Sequence, residues 1–259
     1  MNEILDITLI QLISAYLFIV LLLIIVRLRK IPREKEIVIA TFRMTIQLVF
    51  VGYVLTFIFE YERWYYSVII LFIMEVFAIY NIFKRAKHPL SDRLKKIIAI
   101  SMVAGTLFSF LYFDFVVVQF SPWYDPRYFI PIAGMLIGNS MTGITLGVSS
   151  LMEGFTSRKK EVEAALMLGA TPNKAAEKIV NHAFDSAILP TINNMMGMGI
   201  VFLPGMMTGV ILSGASPLSA IKYQIAIMLG ITGSVSISVI LFLYLGYKPF
   251  FNKSAQLQI

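Results

Sequence analysis

The sequence predicts an all-α, polytopic membrane protein with about seven transmembrane helices. Its N-terminus faces out, its C-terminus faces in, and it carries cytoplasmic coupling helices. Composition is the first ground: of 259 residues, 58% are hydrophobic and 14% charged, with a mean hydropathy of +0.79. Soluble domains carry about 25% charged residues. Recurrent apolar runs are the second ground, and basic residues gathered in alternate loops are the third. There is no cysteine, so disulfides, thiol catalysis and thiolate metal sites are excluded.

A span needs about 20 mainly apolar residues. The runs that meet this are roughly 7–26, 37–59, 65–83, 97–118, 129–151, 187–212 and 221–247. The first lacks a basic leader and a small-residue cleavage site and reads as a retained span. The fifth and sixth are less uniform, rich in Gly, Pro, Asn and Thr. No internal repeat or linker interrupts the pattern, so residues 1–259 read as one transmembrane domain.

Charge sets the orientation. The loop after span 1 holds Arg27, Arg29, Lys30, Arg33 and Lys35. The loop after span 3 holds Lys84, Arg85, Lys87, Arg93, Lys95 and Lys96. The segment after span 5 holds Arg158, Lys159, Lys160, Lys174 and Lys178, and the tail holds Lys248 and Lys253. Together these are 18 of 22 basic residues on one side. Arg63, Arg127 and Lys222 lie on the other. Topology therefore explains the basic balance, and no nucleic-acid partner is expected. Trp64, Trp123 and Tyr124 suit an outer interfacial belt.

Polar residues inside spans are costly unless paired or hydrated. Arg43 and Gln47 share a face of span 2, and Glu75 sits in span 3. At 1.5 Å per residue both charges lie roughly 9–12 Å deep from the inner side. An Arg43–Glu75 ion pair is expected, direct or through Gln47 or Asn81. In span 5, Gly134-x-x-x-Gly138 and Gly143-x-x-x-Gly147 allow close helix approach, while Asn139 and Thr142 add hydrogen-bonding groups. Span 6 contains Pro190, Asn193, Asn194, Met198 and Thr208 and breaks at Leu203-Pro204-Gly205. Broken helices at membrane depth line cavities or lie under protein. Asn139, Thr142, Asn193, Asn194, Met198 and Thr208 are the candidate path. The methionines read as packing residues, since no cysteine or near histidine supports a soft-metal site. His88 and His182 fall in cytoplasmic segments without metal-ligand spacing. No metal ligand set, catalytic constellation or phosphate-binding Gly-rich loop is read in the chain.

The polar interruption at about 152–186 organises the rest. Glu161–Leu168 reads as a helix, Gly169 as its left-handed stop, and Thr171-Pro172 as the cap and first residue of a second helix. That helix would bury Ala175, Ala176, Ile179, Val180 and Ala183. A plain linking hairpin and a DNA-binding helix-turn-helix are competing readings. Recognition helices usually sit in soluble domains that reach a groove. Glu163-Ala164-Ala165 followed by Gly169 resembles the EAA loop of ABC-transporter permeases. In that family the loop docks short helices into the nucleotide-binding subunit.

Longer motifs narrow the resemblance. They are Arg43-x-x-x-Gln47-Leu48, Ile130-Pro131-Ile132-Ala133-Gly134, Leu168-Gly169-Ala170-Thr171-Pro172, Leu203-Pro204-Gly205-Met206-Met207-Thr208-Gly209 and Ala220-Ile221-Lys222-Tyr223-Gln224. Here the chain resembles the FetB family of ABC permeases, bacterial iron exporters with plant relatives tied to aluminium tolerance. The resemblance implies a permease homodimer in the lipid bilayer of the cell (inner) membrane. It also implies a separate ABC ATPase that binds ATP and Mg, so no cofactor in this chain. Glu163, Ala164, Ala165, Gly169, Thr171 and Pro172 would couple that ATPase to export of iron or a related stress solute. The other readings are an importer permease working with an outer receptor and a non-transporting scaffold for an ATPase.

Overall fold

The computed structural model describes residues 7–86, 89–252 and 254–258. Lys87, His88 and Lys253, counted among the basic loops and histidines above, lie outside the described residues. The chain groups into two compact units, Met1–Glu62 with Leu212–Gly214 and Arg63–Ile211 with Ala215–Ile259.

In the first unit, α1 (Leu9–Ala15) starts at a capping box: Thr8 accepts from Gln11 N while the Gln11 side chain accepts from Thr8 N. This satisfies two end donors at once. The helix breaks at Tyr16 and resumes as α2 (Leu17–Leu28), then α3 (Glu34–Tyr61). A hydrogen bond of 2.6 Å joins the Tyr16 hydroxyl to Thr45 on α3. Large apolar side chains such as Ile10, Phe18, Phe42 and Phe50 point outward, as lipid-facing helices require.

The second unit contains α4 (Trp64–Arg85), α5 (Asp92–Tyr112), α6 (Pro126–Ser157), α7 (Lys159–Met167), α8 (Pro172–Gly197), α9 (Gly205–Leu212) up to Ile211, and α10 (Pro217–Gly246). A π-helical turn, Phe113–Val118, extends α5. Contacts fix the helix directions. Ser67 at the start of α4 donates to Tyr124 O just before α6, at 2.9 Å. Phe110 near the end of α5 packs edge-on against Phe129, ring centres 4.6 Å apart. Tyr128 meets Tyr223 at 6.2 Å, so α6 and α10 start together. At the other end Phe155 stacks on Phe250 at 4.2 Å, closing the tail onto α6.

One end of this unit therefore carries Arg63, Arg127 and Lys222. The other carries Arg85, Arg93, Lys95, Arg158, Lys159, Lys174 and Lys248. The charge partition read from the loops maps onto the two ends of one helical body.

Six segments are long and apolar enough to cross a membrane among the described residues: Leu9–Leu28, Glu34–Tyr61, Trp64–Arg85, Asp92–Val118, Pro126–Ser157 and Pro217–Phe250. The protein is thus a multi-pass, all-α membrane protein. The expected sixth span, 187–212, is broken before Gly205, as its Leu203-Pro204-Gly205 interruption suggested. Its first part continues the second helix of the 152–186 segment as α8, running through Pro190 to Gly197. The chain then turns, with Gly199 at φ +85°, and Gly205 opens the short α9. α8 nevertheless crosses the unit: Gly154 on α6 faces Ile179 near its start, and Met198 just beyond its end accepts from Gln224 on α10 at 3.8 Å.

Small residues set the helix spacing. A Cβ on Gly143 would lie 2.9 Å from Val235, and one on Gly147 3.6 Å from Ala187 and Phe242. This pair packs as its spacing suggested. The Gly134–Gly138 pair does not: a Cβ there meets only Met74 at 3.7 Å or nothing. The tightest approach is Gly105 of α5 against Ser238 of α10, which sequence spacing did not reveal.

Gly105→Ala should therefore cost about 1–3 kcal/mol by overpacking. Gly138→Ala should change stability by less than about 0.5 kcal/mol. Thermal melting of the solubilised protein compares them; equal melting temperatures would contradict the packing described.

Candidate functional site

The α7–α8 elbow is built by local chemistry. α7 ends in a paired turn: Gly169 N donates to Leu166 O and Ala170 N to Ala165 O, both at 3.0 Å. Gly169 sits at φ +86°, a conformation that suits glycine. This is the Schellman arrangement, which satisfies carbonyls left over at a helix end. Two residues later Thr171 accepts from Lys174 N at 3.4 Å and Pro172 opens α8. The elbow is thus a rigid turn whose shape the sequence specifies residue by residue.

Its inner face is anchored. Val162, Ala176, Ile179 and Ala183 are buried; the expected neighbours Ala175 and Val180 are half-buried. Gly154 lets α6 approach so closely that a Cβ would lie 2.5 Å from the Ile179 side chain. Its tip is free: Met167 is 86% and Leu168 89% exposed, at the basic end of the unit. Glu163 is half-buried, 3.9 Å from Lys159. Ala164 is exposed and Ala165 half-buried.

The candidate path residues divide. Thr142 is exposed and Asn139 half-buried on α6; each bonds back to its own helix, to Gly138 O and Met135 O. Asn193 and Asn194 are exposed on α8. Thr208 bonds back to Pro204 O at 3.1 Å. Met198 accepts from Gln224, and Met195 from Thr232 at 3.3 Å. No cluster of three or more His, Cys, Asp or Glu that could hold a metal occurs among the described residues.

A groove missed by the sequence reading lies between α6 and α8 near the elbow, with a volume of about 490 Å³. Ser149, Ser150, Glu153, His182 and Ser186 line it, and Ser150 and Ser186 face each other at 3.3 Å. Helical spacing continues its walls to Thr142 on α6 and Asn193 on α8. A four-residue recurrence of Ser149, Glu153 and Ser157 was the available signal.

Glu75 is 8% exposed in the second unit, where the Thr106 hydroxyl on α5 donates to its Oε1. Thr106 also donates to Met102 O at 2.7 Å. Thr106 was not anticipated. Asn81 bonds to Phe77 O on its own helix. Arg43 and Gln47 lie on α3 of the first unit.

Comparison with known proteins follows from this geometry. Residues 9–251 match the model of a family described as "Uncharacterised protein family (UPF0014)". The chain is 33% identical over 245 residues to "Probable iron export permease protein FetB" of Escherichia coli K12, covering 95% of this chain and 93% of the relative. It is 37% identical over 246 residues to "Protein ALUMINUM SENSITIVE 3" of Arabidopsis thaliana, covering 95% and 88%. It is 32% identical over 246 residues to "UPF0014 membrane protein YjkA" of Bacillus subtilis, covering 93% and 95%. No solved structure matches.

Thr171→Ala should remove the cap of α8 at a cost of about 1 kcal/mol. Hydrogen exchange at residues 173–175 should then quicken while that of α10 stays unchanged. Unchanged exchange at the elbow would contradict the capping role.

Proposed function

Because the chain belongs to the UPF0014 family, we propose that it is the membrane permease subunit of an ATP-driven ABC exporter, a single permease domain over residues 1–259. Its solute is iron or a metal-related stress solute. The names of two relatives, one an iron export permease and one linked to aluminium sensitivity, support that class. ATP and Mg are held by a separate ATPase, and this chain does not hydrolyse ATP.

The observation that carries the reading is the elbow. Its apolar tip, Met167 and Leu168, is exposed at the basic end, which the positive-inside rule assigns to the cytoplasm. Its base is locked to α6 and α8 by Val162, Ile179 and Gly154. A motor that seats the tip in a cleft would move α8 as a lever. The polar face of Thr142, Asn193 and the α6–α8 groove would then open and close against a second copy of the chain. Asn139, Asn194, Met198 and Thr208 extend that face as path candidates.

The test is metal flux in proteoliposomes holding the chain with its ATPase. Glu163→Arg and Gly169→Trp should cut ATP-dependent flux at least tenfold while leaving the chain folded. Normal flux in both would refute the docking role. ATP turnover without movement of any metal would refute export.

A further inference from the structure

α5 and α10 run in opposite directions. They meet most tightly where Gly105 faces Ser238, and again nearer the outer end, where Phe113 packs onto Gly230. Outward from the Gly105–Ser238 contact a groove of about 590 Å³ opens between the two helices. On α10 its lining recurs every three or four residues, at Lys222, Ala226, Leu229, Gly233 and Ile237, which is one face of a helix. Opposite, α5 sets Phe108 and Tyr112, one turn apart. The floor is hollow at Gly233, where a Cβ would meet nothing within 4 Å. Phe108, Tyr112 and Leu229 are exposed along its walls, so the groove is open to lipid tails along its length.

One charge lines the groove, Lys222 at its outer end. No salt bridge among the described residues reaches it. A cation at membrane depth is costly without a partner or water. Asp114, beside Phe113, is buried and does not line the groove. The length is also telling. From Lys222 to Ile237 the lining runs about 22 Å at 1.5 Å per residue. Half a bilayer, headgroup region included, is about 20–22 Å. The groove therefore spans one leaflet, from headgroup to midplane.

We propose that this groove binds an anionic glycerophospholipid of the outer leaflet. One acyl chain lies between α5 and α10 over Gly233, and the phosphate pairs with Lys222. Lysine binds phosphate as a point charge, and the attraction grows where little water screens it. An apolar slot alone would take any lipid tail. The uncompensated cation at one end is what selects the headgroup. The site does not rest on the export reading, and the permease alone tests it.

The full-length chain, delipidated in dodecyl maltoside, is mixed with equal amounts of dioleoyl-phosphatidylglycerol and dioleoyl-phosphatidylcholine. Native mass spectrometry then counts the bound lipids. Phosphatidylglycerol should be retained in roughly fivefold excess, the ratio that one lysine near a membrane surface supplies. Lys222→Gln should bring that ratio down to about one while lipid still binds. Arg63→Gln, which removes an outer-end cation off the groove, should leave the ratio unchanged. Gly233→Leu, which fills the hollow, should lower retention of both lipids several-fold. Equal retention of the two lipids by the wild type, or a preference that survives Lys222→Gln, would overturn the proposal. So would a Gly233→Leu variant that keeps its lipid but falls from dimer to monomer, because the groove would then hold a second copy of the chain.

Discussion

The contact between Gly154 and Ile179 is the constraint on which the account depends. It lets the last turns of α6 pack directly against the Ile179 side chain in the first turns of α8. Any larger residue at 154 would push α8 away from α6. The same logic of small residues holds α6 to α10 at Gly143 and α5 to α10 at Gly105. In a membrane this matters more than in water, because apolar burial does little to draw helices together among lipid tails. Close packing and a few internal hydrogen bonds, such as Ser140 to Ser234 at 2.9 Å, take over that work. An element seated on such a body transmits displacement instead of absorbing it.

What could be read from the sequence was local. Gly169, Thr171 and Pro172 declare a stop, a cap and a start through backbone preferences that need no distant partner. The apolar runs and their basic flanks likewise follow from the bilayer alone. What could not be read needed pairing between distant segments. Thr106 reaches Glu75 across thirty-one residues of sequence, and matched depth could not single it out. The α6–α8 groove draws its hydroxyls from two helices. Asp114 is buried in the π-helical turn, and nothing in the sequence marks it. The sixth span was misdrawn for a further reason. Its start was set at 187, yet α8 runs unbroken from Pro172 through Asp185 and Pro190, because proline at depth is tolerated where neighbouring helices cover the chain.

Two polar features emerge with different characters. The α6–α8 face is open, hydroxyl-rich and continuous with the elbow, so it suits a surface that changes partner during a cycle. The buried Asp114 lies at the far end, in the π-helical turn. Their separation along the second unit gives the body an inner and an outer station, with the buried Glu75–Thr106 contact at intermediate height.

The central claim is that the elbow tip faces the cytoplasm and touches a motor. The chain has no cysteine, so Leu168→Cys introduces a single reporter. In sealed vesicles an impermeant maleimide should label it only in the inside-out orientation, and bound ATPase should block the labelling. Labelling from the outer side, or labelling indifferent to the ATPase, would contradict the account.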